Sequence, residues 1–129
     1  MIHNLGSKTY VGSLLGADSR SASANGTGFD LQGSNDAEGE AIVILDSEAG
    51  TGTSPTLDVK LQESANNSDW SDISGATFTQ VTDGGAGFEK ISINVNDTER
   101  YVRAVATLGG TTPVFVCAVS LVYSKKYGN

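Results

Sequence analysis

The chain has 129 residues, of which 15 are acidic and 8 basic, for a net charge of −7. That length fits one domain, and the acidic balance excludes phosphate-driven binding of DNA or RNA, which needs a basic stripe. A single cysteine excludes an internal disulfide or a cysteine-based zinc site, a single histidine excludes a histidine cluster, and no apolar run, residues 41–45 included, is long enough to cross a bilayer.

Residues 1–26 differ from the rest of the chain. The stretch from Gly12 to Gly26 is small and polar around one apolar pair, Leu14-Leu15. Such a segment buries too little apolar surface to offset its own ordering entropy. It therefore reads as an extended arm that either frays or is held by its own domain or a neighbouring chain. The opening residues lack the apolar stretch of a signal peptide, which predicts assembly in a cytoplasm. The Asn-x-Ser/Thr triplets at Asn25, Asn66 and Asn96 then read as turns.

From Thr27 onward the pattern is strand after strand. Phe29 and Leu31 alternate with polar residues. Residues 41–45 are continuously apolar and read as a strand covered on both faces. Residues 50–55 read as a loop. Leu57, Val59 and Leu61 alternate with Asp58, Lys60 and Gln62, the period of a sheet with one wet face. A turn at 65–69 leads past Trp70 to a short strand at 77–81. Asp83-Gly84-Gly85 is a strong turn signal, and Ile91, Ile93 and Val95 alternate inward after it. Residues 101–108 and 114–123 are two further strands, and Gly109-Gly110-Thr111-Thr112-Pro113 joins them at hairpin distance. The last strand is apolar on both faces, with Val114, Val116, Ala118 and Val122 on one side. A strand without a wet face is either central in its fold or part of a subunit interface. Residues 125–129 form a short polar tail. No segment keeps a helical period and no internal repeat stands out. The expected fold is all-β: a single antiparallel β-sandwich of about seven to eight strands over 27–124, with a small barrel as the other architecture and an extended N-terminal arm over 1–26.

Candidate chemistry is thin. His3 would need Cys117 or a serine beside it, and Cys117 sits in an apolar strand where a thiol packs as a small hydrophobe. Asp30, Glu38, Glu40, Asp46 and Glu48 cluster in sequence, but nothing marks a desolvated pair of the kind a glycosidase uses. Asn66-Asn67-Ser68-Asp69 and Asn94-Val95-Asn96-Asp97 offer oxygen ligands for calcium, yet these are also the favoured turn residues. Trp70 and Phe78 are a sugar-stacking platform or, more simply, core anchors. Arg100 and Arg103 are expected to pair with carboxylates. The reading is of a non-enzyme with no catalytic residue, no metal and no cofactor.

Four pieces carry a resemblance: residues 28–32, residues 57–64, the stretch from Trp70 to Val81, and Arg100-Tyr101-Val102-Arg103-Ala104. In this order they resemble the capsid decoration (cement) proteins of tailed bacteriophages, over roughly residues 27–124. Where that family's turn carries Asp-Gly, this chain has Asn66-Asn67-Ser68. The resemblance brings no active site. It implies a β-sandwich virion protein, assembled in the host cytoplasm, that binds the outer capsid surface. There it would bridge neighbouring major capsid protein subunits, often as a homotrimer, without nucleic acid or membrane. The leading arm then reads as a strap that orders against its companions, with Leu14 and Leu15 docking in a groove and Val114 and Val116 as further partner contacts. Two other roles fit the same residues: a virion-displayed carbohydrate-binding module and a head-completion or tail component.

Overall fold

The structure is a computed structural model that describes residues 5–126. His3 and residues 127–129 of the expected tail lie outside the described residues. After one helical turn, Leu5–Lys8, the chain is almost wholly strand: β1 (Tyr10–Arg20), β2 (Ala24–Asn25), β3 (Phe29–Asp30), β4 (Ala37–Ser47), β5 (Thr51–Ser64), β6 (Ser71–Thr77), β7 (Gly87–Asn94), a 3-10 turn (Val95–Asp97) and β8 (Tyr101–Lys125). All pairings between these strands are antiparallel. The all-β, sandwich-like expectation holds.

The two layers share β8. Its C-terminal half lies between β1 and β4, and β7 pairs with β4 to complete the first layer. Its N-terminal half lies between β5 and the short β2 and β3, and β6 pairs with β5 to complete the second. Leu57, Val59 and Leu61 of β5, Val43 and Leu45 of β4, and Val102, Ala104, Phe115, Val119 and Leu121 of β8 all belong to one buried core. They alternate with less buried neighbours, polar on β5 and largely apolar on β4 and the C-terminal half of β8, in the period-two pattern of strands with one side inward.

The expected hairpin at 109–113 is absent, because these residues stay in the ladder. They pair with Thr51–Pro55, the stretch read as a loop, so both departures have one cause. Gly52-Thr53-Ser54-Pro55 and Gly110-Thr111-Thr112-Pro113 are echoes of each other, too short to stand out as a repeat in the sequence. They face one another across the ribbon: Thr53 pairs with Thr111, Thr51 with Val114 and Thr56 with Gly109. Each copy shifts register and carries the same positive angles, φ 114° and 98° at the glycines and 49° and 48° at Ser54 and Thr112. A bulge on each strand sharpens its bend, which is how strands pass from one layer of a sandwich to the other. Pro55 is fully buried there, in a bulge where a missing N–H is tolerated. The strand expected at 77–81 is likewise displaced. The pairing segment is β6, and beyond it Val81 bridges to Leu57 and Thr82 to Gly85.

The leading segment is extended, as expected, but it runs along its own chain. Tyr10 to Arg20 pair with Tyr123 to Phe115 of β8. Between Ser13 and Leu15 the register slips by one, so Leu14 and Leu15 both enter the core, at 0% and 3% exposure. A bulge of this kind explains how two consecutive leucines of one strand both face inward. Gly26 seats the bulge: a Cβ there would come within 1.6 Å of the Leu14 carbonyl oxygen, and its N–H donates to Ala104 O at 2.7 Å. Tyr10, Phe29 and Tyr123 pack their rings around the start of β1, with centroids 5.8 and 5.7 Å from Tyr123. The Tyr123 hydroxyl donates to Asn35 Oδ1 at 3.2 Å, and burial raises its pKa.

Candidate interaction surface

The outer faces of the two layers differ in chemistry. On the second layer Lys60 Nζ meets Asp72 at 3.0 Å, and Gln62 Nε2 donates to the same carboxylate at 2.9 Å. Gln62 Oε1 in turn accepts two bonds from Arg103, whose guanidinium carbon lies 4.4 Å from the Trp70 ring centre. The Asp72 carboxyl is held below its ordinary range by its bonds from Gln62 and Lys60. This face is wet and internally satisfied.

The outer face of the first layer is apolar at its centre. Along β4, Ala41, Val43 and Leu45 point inward and are buried, while Ile42 and Ile44 point outward and are half-buried. Val122 stands beside Ile42 on β8, and Val11 of β1, 76% exposed, pairs with Val122. Further along β8 Val116 is 43% exposed, and on the β7 edge Phe88 is 77% exposed. The run 41–45 and the final strand are therefore covered on one side only. The expectation that 41–45 is covered on both faces is corrected for this chain taken alone, whereas the final strand is central, one of the two places expected of it. A half-exposed row of branched aliphatics on two central strands is the pattern of a sheet face that something covers.

Of the four residues expected to touch a partner, two lie on or beside this face and two do not. Val116 is exposed on it and Val114 is half-buried at the corner where it begins. Leu14 and Leu15 are in the core, so the expectation that they dock in a partner's groove is overturned by the β1 pairing. Val11, Ile42, Ile44 and Phe88 are further members that the sequence reading does not reach. A signal for two of them is present in the sequence, where Glu40, Ile42, Ile44 and Asp46 recur at every second position along one side of β4.

The remaining candidates are structural. Asp30 takes two bonds from Arg100, each 2.9 Å, and one from the Gln32 N–H. The Arg100 bonds, aided by Gln32, hold its carboxyl below the ordinary 3.8. Arg103 lies on Gln62 and Trp70 rather than on a carboxylate. The calcium candidates spend their oxygens on backbone N–H groups: Asn66 Oδ1 accepts from Ser68 and Asp69, and Asn94 Oδ1 accepts from Asn96 to cap the 3-10 turn. Among the described residues no group of three or more His, Cys, Asp or Glu gathers at metal-binding distance. Trp70 is half-buried on the outside of the second layer and so does not anchor the core. Arg103 covers its ring, and Phe78 is only 7% exposed, so the two do not form a sugar platform. Cys117 is buried, and desolvation raises its pKa, the reverse of an activated thiol. Among the described residues no helix is long and apolar enough to cross a membrane.

No family model and no curated protein matches the sequence. Among solved structures the chain is similar to one in the structure of the infectious bursal disease virus Gx strain. The TM-score is 0.55 at 12% identity, over 95% of this chain and 33% of that one. It is also similar to the infectious bursal disease virus VP2 subviral particle, with a TM-score of 0.47 at 13% identity over 92% and 32% of the two chains. A third similarity is to a Bacillus endospore appendage of a disulfide-linked pilus family, with a TM-score of 0.43 at 12% identity over 92% and 90%. This chain spans about a third of the length of the viral chains. The first of these likenesses establishes a shared fold: an antiparallel β-sandwich body.

Proposed function

We propose that this chain is a non-enzymatic structural protein of a phage virion. It binds the outer surface of the capsid and stabilises the shell by bridging neighbouring major capsid protein subunits. The observation that carries the reading is the outer face of the first layer. Its central strands β4 and β8 expose aliphatic side chains on an acidic body whose other face is saturated with its own polar contacts. The similarity of residues 27–124 to cement proteins supports the same role, and a chain of a virus structure uses the same fold. The contact surface of this reading is the Val116 face in place of the leading strap. Repetition on a lattice makes many weak contacts hold together, since each docked copy keeps its neighbours' sites at high effective concentration. A homo-oligomer, with a trimer over local threefold axes as its expected form, adds to that effect.

The test is to mix the purified chain with capsid shells lacking it, sediment the shells and count copies per particle. Hundreds of copies, with raised resistance of the shells to heat, are the expected result. A few copies per particle assign it to a head-completion or tail position instead, and no retention removes the capsid role.

A further inference from the structure

The charges around the apolar face specify what can cover it. Glu40, Ile42, Ile44 and Asp46 share the outward side of β4, Glu48 follows just past its end, and all three acids are exposed. The row spans about 27 Å at ordinary strand rise, apolar in the middle and negative at both ends. The outward cation closest to the centre is Lys90, which pairs across from Ile44 on β7. Among the described residues neither Glu40, Asp46 nor Glu48 takes part in an ion pair.

A second copy is a poor fit for such a face. Two copies stacked through it are related by a two-fold axis in the plane of contact; where that axis runs along or across β4 and sets the two β4 strands face to face, they are parallel or antiparallel. Parallel, each acid lies over its own counterpart. Antiparallel, Glu40 lies over Asp46 or Glu48. Both arrangements put carboxylate on carboxylate while removing water from them, and like charges across an interface suppress a pairing.

We propose that the outer face of the first layer docks a foreign protein surface that is apolar at its centre and carries lysine or arginine at two ends, spaced to meet Glu40 on one side and Asp46 with Glu48 on the other. The proposal rests on the reading of that face as the docking surface, and it names the chemistry of the surface that is bound. Ile42, Ile44 and the adjoining Val122 supply the desolvated centre, and Val116 lies beside Glu48 at one end. The acids set orientation, since a partner turned end for end meets one carboxylate where it should meet two.

The experiment compares four proteins on the same purified shells at 50 and 500 mM salt: wild type, Ile44→Glu, the triple variant Glu40→Gln/Asp46→Asn/Glu48→Gln, and Gln62→Glu as a control on the opposite face. Circular dichroism and unfolding midpoints check that each is folded. Sedimentation velocity of the wild type alone gives its association state. The proposal expects wild type and Gln62→Glu to bind alike and Ile44→Glu to be lost. The neutral triple should bind about tenfold more weakly at low salt, with the gap narrowing at high salt as screening shortens. Absence of wild-type binding overturns the capsid reading itself. Binding that survives Ile44→Glu overturns this face as the dock. Loss with Ile44→Glu, but no weakening in the neutral triple, overturns the basic partner and leaves the dock. A dimer in solution that Ile44→Glu abolishes makes a second copy the occupant and overturns the proposal.

Discussion

At Gly110 and Thr112 two residues only two positions apart meet opposite demands. Both are left-handed, at φ 98° and 48°. Gly110 also has no room: a Cβ there would lie 2.5 Å from the Ser54 carbonyl oxygen. Thr112 is a β-branched residue in a region that costs non-glycine residues about 1–2 kcal/mol. Gly110→Ala is therefore expected to destabilise by about 2 kcal/mol or more, from backbone strain plus the clash. Thr112→Asn should stabilise by about 1 kcal/mol, because asparagine tolerates left-handed angles. Urea unfolding of both variants checks the pair. Equal effects of the same sign would show that the corner does not hold these angles in solution. A second residue-scale test uses Asp30. Its carboxyl has a depressed pKa in the folded chain, first through the hydrogen bonds from Arg100 and then through the Gln32 N–H. A depressed carboxyl stabilises fully above its unfolded value, and the contribution is lost as pH falls through the folded value. Asp30→Asn should therefore have a lower unfolding midpoint than wild type at pH 6, and the gap should close in strong acid, as the pH falls through the depressed folded value and Asp30 protonates. A gap that persists unchanged at pH 2 would mean that the loss is not one of charge.

At the scale of elements, what the sequence reveals depends on whether an element's cause is local. β5 and β7 are legible because each buries one side and alternates. The Gly52 to Pro55 and Gly110 to Pro113 stretches are illegible singly. Glycine beside proline is turn chemistry, and only the cross-strand partner reveals that the two copies complete each other as bulges. β1 fails for the same reason: its polar outer residues look like a tail, and the strand exists because β8 offers an edge and Gly26 offers room. The candidate surface is half legible. Val114 and Val116 follow from an apolar strand with no wet side, whereas Val11 and Phe88 become members only once pairing sets Val11 beside that strand and Phe88 beside β4. The β1 assignment is checked by two substitutions. Leu14→Ala should cost about 3 kcal/mol, as for other leucines removed from a closed core. Val11→Ala, on the exposed side of the same strand, should stay within about 0.5 kcal/mol. Silence of both in chemical unfolding would return the segment to a free strap.

At the scale of the molecule, sharing one strand between two layers removes the option of losing one layer alone. β8 is central in both, and Phe115, fully buried, stands where it passes from one to the other, with the Gly50 backbone packed against its ring. Releasing β1 and β4 from the C-terminal half exposes the core side of the N-terminal half as well, because Leu57, Leu61, Val119 and Leu121 belong to one cluster. Unfolding should therefore be a single cooperative step. The chain carries a natural probe in each layer. Trp70, under the Arg103 guanidinium, reports on the second layer by its fluorescence. Cys117, 1% exposed, reports on the first by its accessibility to a thiol reagent. A pulse of reagent at each urea concentration, read beside the fluorescence, should give coincident midpoints and slopes. A thiol that becomes reactive at lower urea than the tryptophan responds would mean that the first layer opens by itself. β8 would then act as a hinge between two separable sheets, and a partner on the outer face of the first layer would clamp only that sheet.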